Sequence, residues 1–306
     1  MFDRILEQNY IVEMTEKISQ GGYFKPHLAP FVAAESSGDQ RLALYENLIA
    51  HYDSEISEGT NSLVASMLQD NSAKNHMFDS AVGVFDAKEG PQEVVLFNLN
   101  DYLGLSKNSK VIASSFVASL MYGTGGLGSR FIRGTTDLHV MLEEELATFK
   151  GHGKPGIEAA VFPSGYMTNL ALMGIIHKEN GGAMVLDSRA HQSLIDGCKL
   201  SGVQTKLFEH NDLDHLERII QHLRKMNGKD FIICIVVDGV YSMDGDICPL
   251  PELVQLAKTY EALIILDEAH STGTIGKSGR GLIEHFELED WEDHIIIMGT
   301  LGKSLG

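Results

Sequence analysis

The residues best suited to chemistry stand in His294-Ile-Ile-Ile-Met-Gly-Thr-Leu-Gly-Lys-Ser-Leu-Gly306. An apolar run gives way to Gly299, Thr300, Gly302, Lys303 and Ser304, as a buried strand hands over to a polar loop. Desolvation lowers the pKa of a lysine so placed, and a neutral amine condenses with an aldehyde. Thr300 supplies a hydroxyl that, with nearby backbone amides, can hold a phosphate. A Gly-Lys-Ser tripeptide alone is an ordinary loop; its weight comes from what precedes it.

Four more polar clusters each follow an apolar run. Pro163-Ser164-Gly165-Tyr166 follows Ala159 to Phe162 and opens a helix whose amides and dipole suit an anion. Asp187-Ser-Arg-Ala-His191-Gln-Ser193 follows Ala183 to Leu186, where a histidine can stack on a flat ring or simply start a helix in water. Asp238-Gly-Val-Tyr-Ser242-Met-Asp-Gly-Asp246 follows Phe231 to Val237 and offers either ligand contacts or a plain turn. Asp267-Glu268-Ala269-His270 follows Leu263 to Leu266. An acid ending a central strand is costly to bury unless paired, and a protonated ring nitrogen is a suitable partner. These letters also fit a metal-binding acidic pair or the DExH-like box of a nucleotide hydrolase, but no G-x-x-x-x-G-K-[ST] loop precedes them. One ligand would serve all five clusters: a phosphate, a flat ring with a basic nitrogen, a phenolic oxygen and an aldehyde. Pyridoxal 5′-phosphate has each of these.

The elements that must position these groups follow from periodicity. Strand-like runs are Val94 to Phe97, Ala159 to Phe162, Ala183 to Leu186, Thr205 to Phe208, Phe231 to Val237, Leu263 to Leu266 and Ile295 to Met298. Helical patterns cover Lys110 to Met121, Thr168 to His177, Leu213 to Met226 and Pro251 to Tyr260. Another places Leu138, Met141, Leu142, Leu146 and Phe149 on one face, behind a cap at Thr135 or Thr136. Several strands are continuously apolar, as expected when helices cover both faces. The fold class is therefore α/β, a mostly parallel sheet flanked by helices. Residues 1–95 read as an N-terminal arm or extension, partly helical, with Ile5, Leu6, Ile11 and Val12 on a short amphipathic helix and a polar stretch from Asp53 to Lys74. Residues 96–306 read as the large domain.

Composition narrows the function class. The 306 residues are 43% hydrophobic and carry a formal net charge of −18 without a basic block, which argues against nucleic acid or an anionic membrane as partner. Cys198, Cys234 and Cys248 are too few and too far apart for a disulfide framework or a zinc site, which fits a reducing setting, cytoplasmic or organellar. No apolar run reaches the length of a transmembrane segment, and the thirteen histidines form no HExxH-type metal motif.

Asn100-Asp-Tyr-Leu-Gly-Leu105, Asp238-Gly-Val-Tyr-Ser-Met-Asp-Gly245, Leu266-Asp-Glu-Ala-His-Ser-Thr-Gly273 and Gly299-Thr-Leu-Gly-Lys-Ser-Leu-Gly306 resemble the α-oxoamine synthases. These are fold type I pyridoxal-phosphate enzymes that condense an amino acid with an acyl-CoA, in most members with loss of CO2. The resemblance implies that Lys303 links to the cofactor and then serves as base, and that Asp267 pairs with the ring nitrogen. It implies that His191 stacks on the ring, with His270 and Ser242 near its phenolic oxygen. Gly165, Tyr166 and Thr300 would hold the phosphate, and Asn100 would orient the substrate carboxylate. The glycine loop Gly123 to Gly134 would lie near the acyl-CoA entrance or a dimer partner. Two departures stand out. The family's Ser-His-Ala-Ser is Ala190-His191-Gln192-Ser193 here, and the chain stops three residues after Lys303. The resemblance thus implies a large domain incomplete at its C-terminal end, without the small domain that carries a carboxylate-binding arginine. It implies a homodimer or pairing with a related subunit. A non-catalytic partner subunit, or another fold type I enzyme such as an aminotransferase or aldolase, are the alternative readings.

Overall fold

The computed structural model describes residues 82–87, 90–95, 98–174 and 181–306, the first two stretches by their backbone. Two compact units make up the chain: Met1–Asn98 with Ser106–Gly125, and Leu99–Leu105 with Gly126–Gly306. In the first, β1 (Val82–Ala87) pairs antiparallel with β2 (Gly90–Val95), Val82 opposite Val95 and Ala87 opposite Gly90. Helix α1 (Ser109–Tyr122) begins where Asn108 Oδ1 accepts from the Lys110 and Val111 amides and ends at Gly123, whose φ of 81° suits glycine. The described part of the N-terminal arm is thus a hairpin. The helix expected around Ile5 to Val12 and the stretch Asp53 to Lys74 lie outside the described residues, as do Leu96 and Phe97 of the strand expected there.

The second unit is built on five parallel strands. They are β3 (Gly182–Asp187), β4 (Gln204–Phe208), β5 (Ile232–Asp238), β6 (Leu263–Asp267) and β7 (Ile295–Met298), in the spatial order β4-β3-β5-β6-β7. The helices are α2 (Asp137–Lys150), α3 (Gly165–Met173), α4 (Gln192–Ser201), α5 (Leu213–Asn227), α6 (Leu250–Tyr260) and the single turn α7 (Leu282–His285). Thr136 is the residue that caps α2.

Successive strand residues point to opposite faces, and both faces here are covered. Val185, Ile233, Ile235, Ile264 and Leu266 pack with Leu216, Ile220 and Leu223 of α5 and Leu253, Val254 and Ala257 of α6. Met184, Leu186, Cys234, Val236 and Ile265 pack on the other side with Met173 of α3 and Leu194 and Cys198 of α4. That two-sided burial is why the strands read as unbroken apolar runs, and each such side chain contributes about 1.5–3 kcal/mol. All three cysteines are free and buried, and Cys198 Sγ lies 3.2 Å from Met184 Sδ. Burial pushes the Cys198 thiol up to about 11 and that of Cys234 to about 12.

One expected strand does not form. Residues 157–162 join no strand, and side chains take the backbone groups of Val161: its N donates to Glu143 Oε1 at 2.7 Å, and Arg130 Nη1 donates to its O at 2.8 Å. Arg130 and Glu143 also pair with each other through both guanidinium nitrogens. The segment is thereby aimed at α3, which starts at Gly165, a turn earlier than the Thr168 expected from pattern. The expected end of that helix at His177 lies outside the described residues.

Candidate active site

Parallel strands bring their carboxyl ends to one edge, and three adjacent ones here end in aspartate. Asp187, Asp238 and Asp267 close β3, β5 and β6, and all are buried. Asp238 and Asp267 are register partners, and Asp267 faces Met298 at the end of β7. Asp267 Oδ1 accepts from the Ala269 amide at 2.9 Å and its Oδ2 from Asn169 Nδ2 at 2.8 Å. Asp238 Oδ2 accepts from the His191 amide at 2.8 Å. Among the described residues neither carboxylate has a cation within ion-pair distance. Burial, then the Asp267 charge, drives Asp238 up to about 8, and burial raises Asp267 despite its hydrogen bonds.

The loop after β7 carries Lys303 to this edge. The lysine is half-buried; burial pulls its pKa down, and the charges of Asp267 and Asp238 oppose that. Its Nζ lies 2.8 Å from His270 Nε2, and His270 Nδ1 lies 2.6 Å from the Tyr102 hydroxyl. That hydroxyl is also 3.1 Å from Asn100 Oδ1. Burial, with Lys303 and His191 nearby, lowers His270 to about 4, so its ring is neutral at pH 7. The turn holding His270 is fixed by Glu268, fully buried, which binds Lys150 Nζ and accepts from the Leu282 amide at 2.5 Å.

A second strand of contacts links α3 to α4. Asn169 Nδ2 donates both to Asp267 and to Ser193 Oγ at 2.8 Å, and Ser193 Oγ lies 2.7 Å from His191 Nδ1. The Ser193 amide also donates to Nδ1 at 3.2 Å. With two donors aimed at Nδ1, the neutral His191 ring carries its proton on Nε2. Asn169 Oδ1 is buried without a partner among the described residues.

The start of α3 forms the other end of the site. Ser164 Oγ accepts from the Met167 amide, and the Gly165 and Tyr166 amides fall in the first turn, which has no intrahelical acceptors. A Cβ at Gly165 would stand 3.7 Å from Thr300 Cβ, so this turn abuts the loop that carries Lys303. The Tyr166 side chain turns to α4, donating to Asp196 Oδ2 at 2.5 Å.

The fold therefore brings Lys303, Asp267, His270, His191 and Asn100 into one linked cluster, with Gly165, Tyr166 and Thr300 as a separate cradle at the same edge. Ser242 stands exposed on the loop after β5, without a hydrogen bond to the cluster among the described residues. Asn169, Ser193, Asp238 and Tyr102 were missed as site residues by the sequence reading. A signal existed for Asn169, one helical turn after Gly165 on the same helix. Asp238 ends a strand as Asp267 does.

Comparison with known proteins follows the same lines. The family model for aminotransferase class I and II matches residues 92–306. A serine palmitoyltransferase of Bacteroides thetaiotaomicron is 42% identical over 220 residues, 72% of this chain and 53% of that protein. An 8-amino-7-oxononanoate synthase of Lysinibacillus sphaericus is 43% identical over 70% of this chain and 52% of its own length. A solved serine palmitoyltransferase from S. paucimobilis with bound PLP–myriocin aldimine superposes with a TM-score of 0.64 at 32% identity, covering 82% of this chain and 61% of that one. The chain spans about half the length of the curated relatives it matches.

Proposed function

The chain belongs to the aminotransferase class I and II family, and from that membership we propose that its sheet edge binds pyridoxal 5′-phosphate and that the whole protein condenses an amino acid with an acyl-CoA. The observation that carries this reading is the convergence of a half-buried amine, Lys303, on two adjacent buried carboxylates without a cation. The residues fit the cofactor. Asp267 and the unpartnered Asn169 Oδ1 are acceptors suited to a ring N–H, and the first turn of α3 lies beside Thr300, where a Cβ on Gly165 would meet Thr300 Cβ and Met298 Cε at 3.7 Å. The relatives named serine palmitoyltransferase and 8-amino-7-oxononanoate synthase support the acyl-transfer class over other members of the family.

Bound pyridoxal phosphate supplies an aldehyde and a ring that accepts the electron pair left when a bond to the amino acid's α-carbon breaks. The chain's own residues do the rest. Lys303, whose pKa burial lowers, is the group for the aldehyde and then the base for the α-proton. Asp267 holds a proton on the ring nitrogen, and its ionised form becomes favourable once that cation lies beside it. His191, oriented by Ser193 and by the hydrogen bond its backbone amide donates to Asp238, would lie against the ring face. His270 and Ser242 are assigned to the phenolic oxygen, and Gly165, Tyr166 and Thr300 to the phosphate. Asn100 orients the substrate carboxylate. With that chemistry in place, the two substrates would be joined at these residues, with coenzyme A, CO2 and an α-amino ketone as products.

The domain reading goes with this: an arm over residues 1–95 and a pyridoxal-phosphate domain over 96–306, supported by a family match that begins at residue 92. A homodimer, or pairing with a related subunit, is supported by the loop that follows α1. Gly134 packs so closely on Gly128 O that a Cβ would stand 1.9 Å away, and this tight loop presents Leu127, Phe131 and Ile132 almost fully exposed. A cytoplasmic setting is supported by three free thiols, and no helix among the described residues is long and apolar enough to cross a membrane.

Titration of the protein with pyridoxal phosphate tests the first step. A visible band is expected from the lysine-linked cofactor, and Lys303→Ala should abolish it; a band of equal strength in that variant removes Lys303 from its role. Coenzyme A release, screened over amino acids and acyl-CoAs, tests the reaction. Transamination of 2-oxoglutarate without thiol release points instead to an aminotransferase. Turnover only in the presence of a complete related synthase points to a partner subunit.

A further inference from the structure

Tyr102 has no part in the scheme above, yet it closes a continuous chain of polar atoms. Lys303 Nζ, His270 Nε2, His270 Nδ1, the Tyr102 hydroxyl and Asn100 Oδ1 follow one another at 2.8 Å, 2.6 Å and 3.1 Å across the imidazole. Lys303 and His270 are partly buried, whereas Tyr102 is 43% exposed, so the chain runs from the site to solvent.

We propose that Tyr102 and Asn100 set the tautomer of His270 and that Tyr102 thereby gives Lys303 a proton path to water. The inference rests on reading Lys303 as the reactive amine.

Donor and acceptor counting carries the argument. A charged lysine has three N–H donors and no lone pair, so His270 Nε2 must then accept. A neutral imidazole accepting at Nε2 carries its proton on Nδ1 and donates it to the Tyr102 oxygen. Tyr102 in turn donates its own proton to Asn100 Oδ1, the one acceptor in the chain that cannot also donate from the same atom. When Lys303 loses its proton, every polarity can reverse. Nε2–H donates to the amine lone pair, and Nδ1, having passed its proton to the Tyr102 oxygen, accepts from that new hydroxyl.

The interconversion balances. One N–H bond on Lys303 breaks as one forms on Nε2. The Nδ1–H bond breaks as a new O–H bond forms on Tyr102, and the original tyrosine O–H proton passes to water. The net change is one proton moved from the lysine to solvent, with the imidazole and the phenol neutral at both ends. The groups facing this chain are Asp267 and Asp238 at the ends of β6 and β5, and His191 at the start of α4. The carboxylates act on the charge of Lys303 and the histidine on that of His270. With its pKa lowered to about 4, His270 does not add a proton of its own near neutrality. Tyr102 is thus a positioning residue with a relay function, acting on Lys303 through His270.

The test uses the protein without cofactor, labelled with nitrogen-15 histidine, with His270→Gln to identify the resonances. In the parent protein His270 should show protonated Nδ1 while Lys303 is charged. It should shift toward protonated Nε2 as pH rises through the lysine titration, and Lys303→Met should erase that shift. Tyr102→Phe keeps the ring but removes the hydroxyl, and the pH-dependent exchange of tautomers should be lost. Asn100→Leu removes the acceptor that draws the Tyr102 hydrogen away from the ring, and should lower the share of protonated Nδ1 found while Lys303 is charged. An unchanged tautomer shift in both variants overturns the proposal, as does a parent His270 whose tautomer ignores Lys303. Unchanged melting curves would show that the variants fold. Titration with pyridoxal phosphate on the same samples reports on Lys303 separately, so the relay can fail while the cofactor reading stands, and the reverse.

Discussion

Asp187 and Asp267 end strands of the same sheet, are equally hidden from water, and live under opposite conditions. Asp187 is saturated. Its Oδ1 accepts from the Arg189 amide at 2.8 Å and stands 2.9 Å from His210 Nδ1, and its Oδ2 accepts from the Asn211 amide at 3.1 Å. His210 is held from the other side as well, with Asp246 Oδ2 2.6 Å from its Nε2. Burial alone would lower the His210 pKa; the hydrogen bonds to Asp187 and Asp246 reverse this and raise it. Asp267 has two neutral donors and a second carboxylate beside it, and its pKa is raised. The difference separates a structural carboxylate from a functional one. The first finds its partners within the fold, and the second keeps part of its capacity for something else.

Asparagine substitutions make that contrast measurable. Asp267→Asn should weaken pyridoxal-phosphate binding by about 10²–10³-fold, since a buried ion pair loses a partner. Without cofactor the same variant should melt no lower than the parent, because burial disfavours the ionised carboxylate in the fold. Asp187→Asn should do the reverse, costing about 1–3 kcal/mol of stability as an amide N–H meets donors, with little effect on the cofactor's affinity. Equal behaviour of the two variants in calorimetry and in cofactor titration would break the comparison.

The pH dependence follows from Asp267 and its neighbour Asp238. Asp238, like Asp267, binds its proton more tightly folded than unfolded, so the folded state holds more protons across the window between the two pKa values. Stability without cofactor is therefore highest below about pH 4 for this term and declines as pH rises to about 8. Asp238→Asn should flatten that decline in a series of chemical denaturations. Excess cofactor should flatten it too, by favouring the ionised carboxylates.

A smaller effect is expected at the cradle. Gly165→Ala adds a methyl group with ordinary contacts, the nearest 3.7 Å from Met298 Cε and Thr300 Cβ, so the melting temperature should hardly move. The methyl would occupy space assigned to the phosphate, and affinity should fall by about tenfold, the loss of a charge-assisted hydrogen bond. Competition by inorganic phosphate, measured in parent and variant, separates this cause from a general loosening.

These contrasts also mark what the sequence could and could not disclose. Strands such as Ile232–Asp238 and Leu263–Asp267 were legible because burial on two faces leaves an unbroken apolar run followed by a polar residue. Lys303, Asp267, His191 and His270 were legible for the same reason, each following such a run directly or within a few residues. The stretch at 157–162 looked the same in letters, but the backbone partners of Val161 are side chains of Arg130 and Glu143, distant in sequence. Of the hairpin Val82–Ala87 and Gly90–Val95, only Val94 and Val95 were read as strand. Asn169, Ser193 and Tyr102 act through contacts between elements, such as the 98 residues separating Asn169 from Asp267, and no local pattern encodes these.

The sulfur atoms packed beneath the sheet give the protein an intrinsic clock. Cys198, Cys234 and Cys248 are the three thiols of this chain, each sealed in the core and held as thiol rather than thiolate. A disulfide reagent added to the folded protein should stay colourless, and colour should grow only as fast as the core opens. The three thiols sit on α4, on β5 and just before α6, so the order in which they react would trace which layer of the domain separates first.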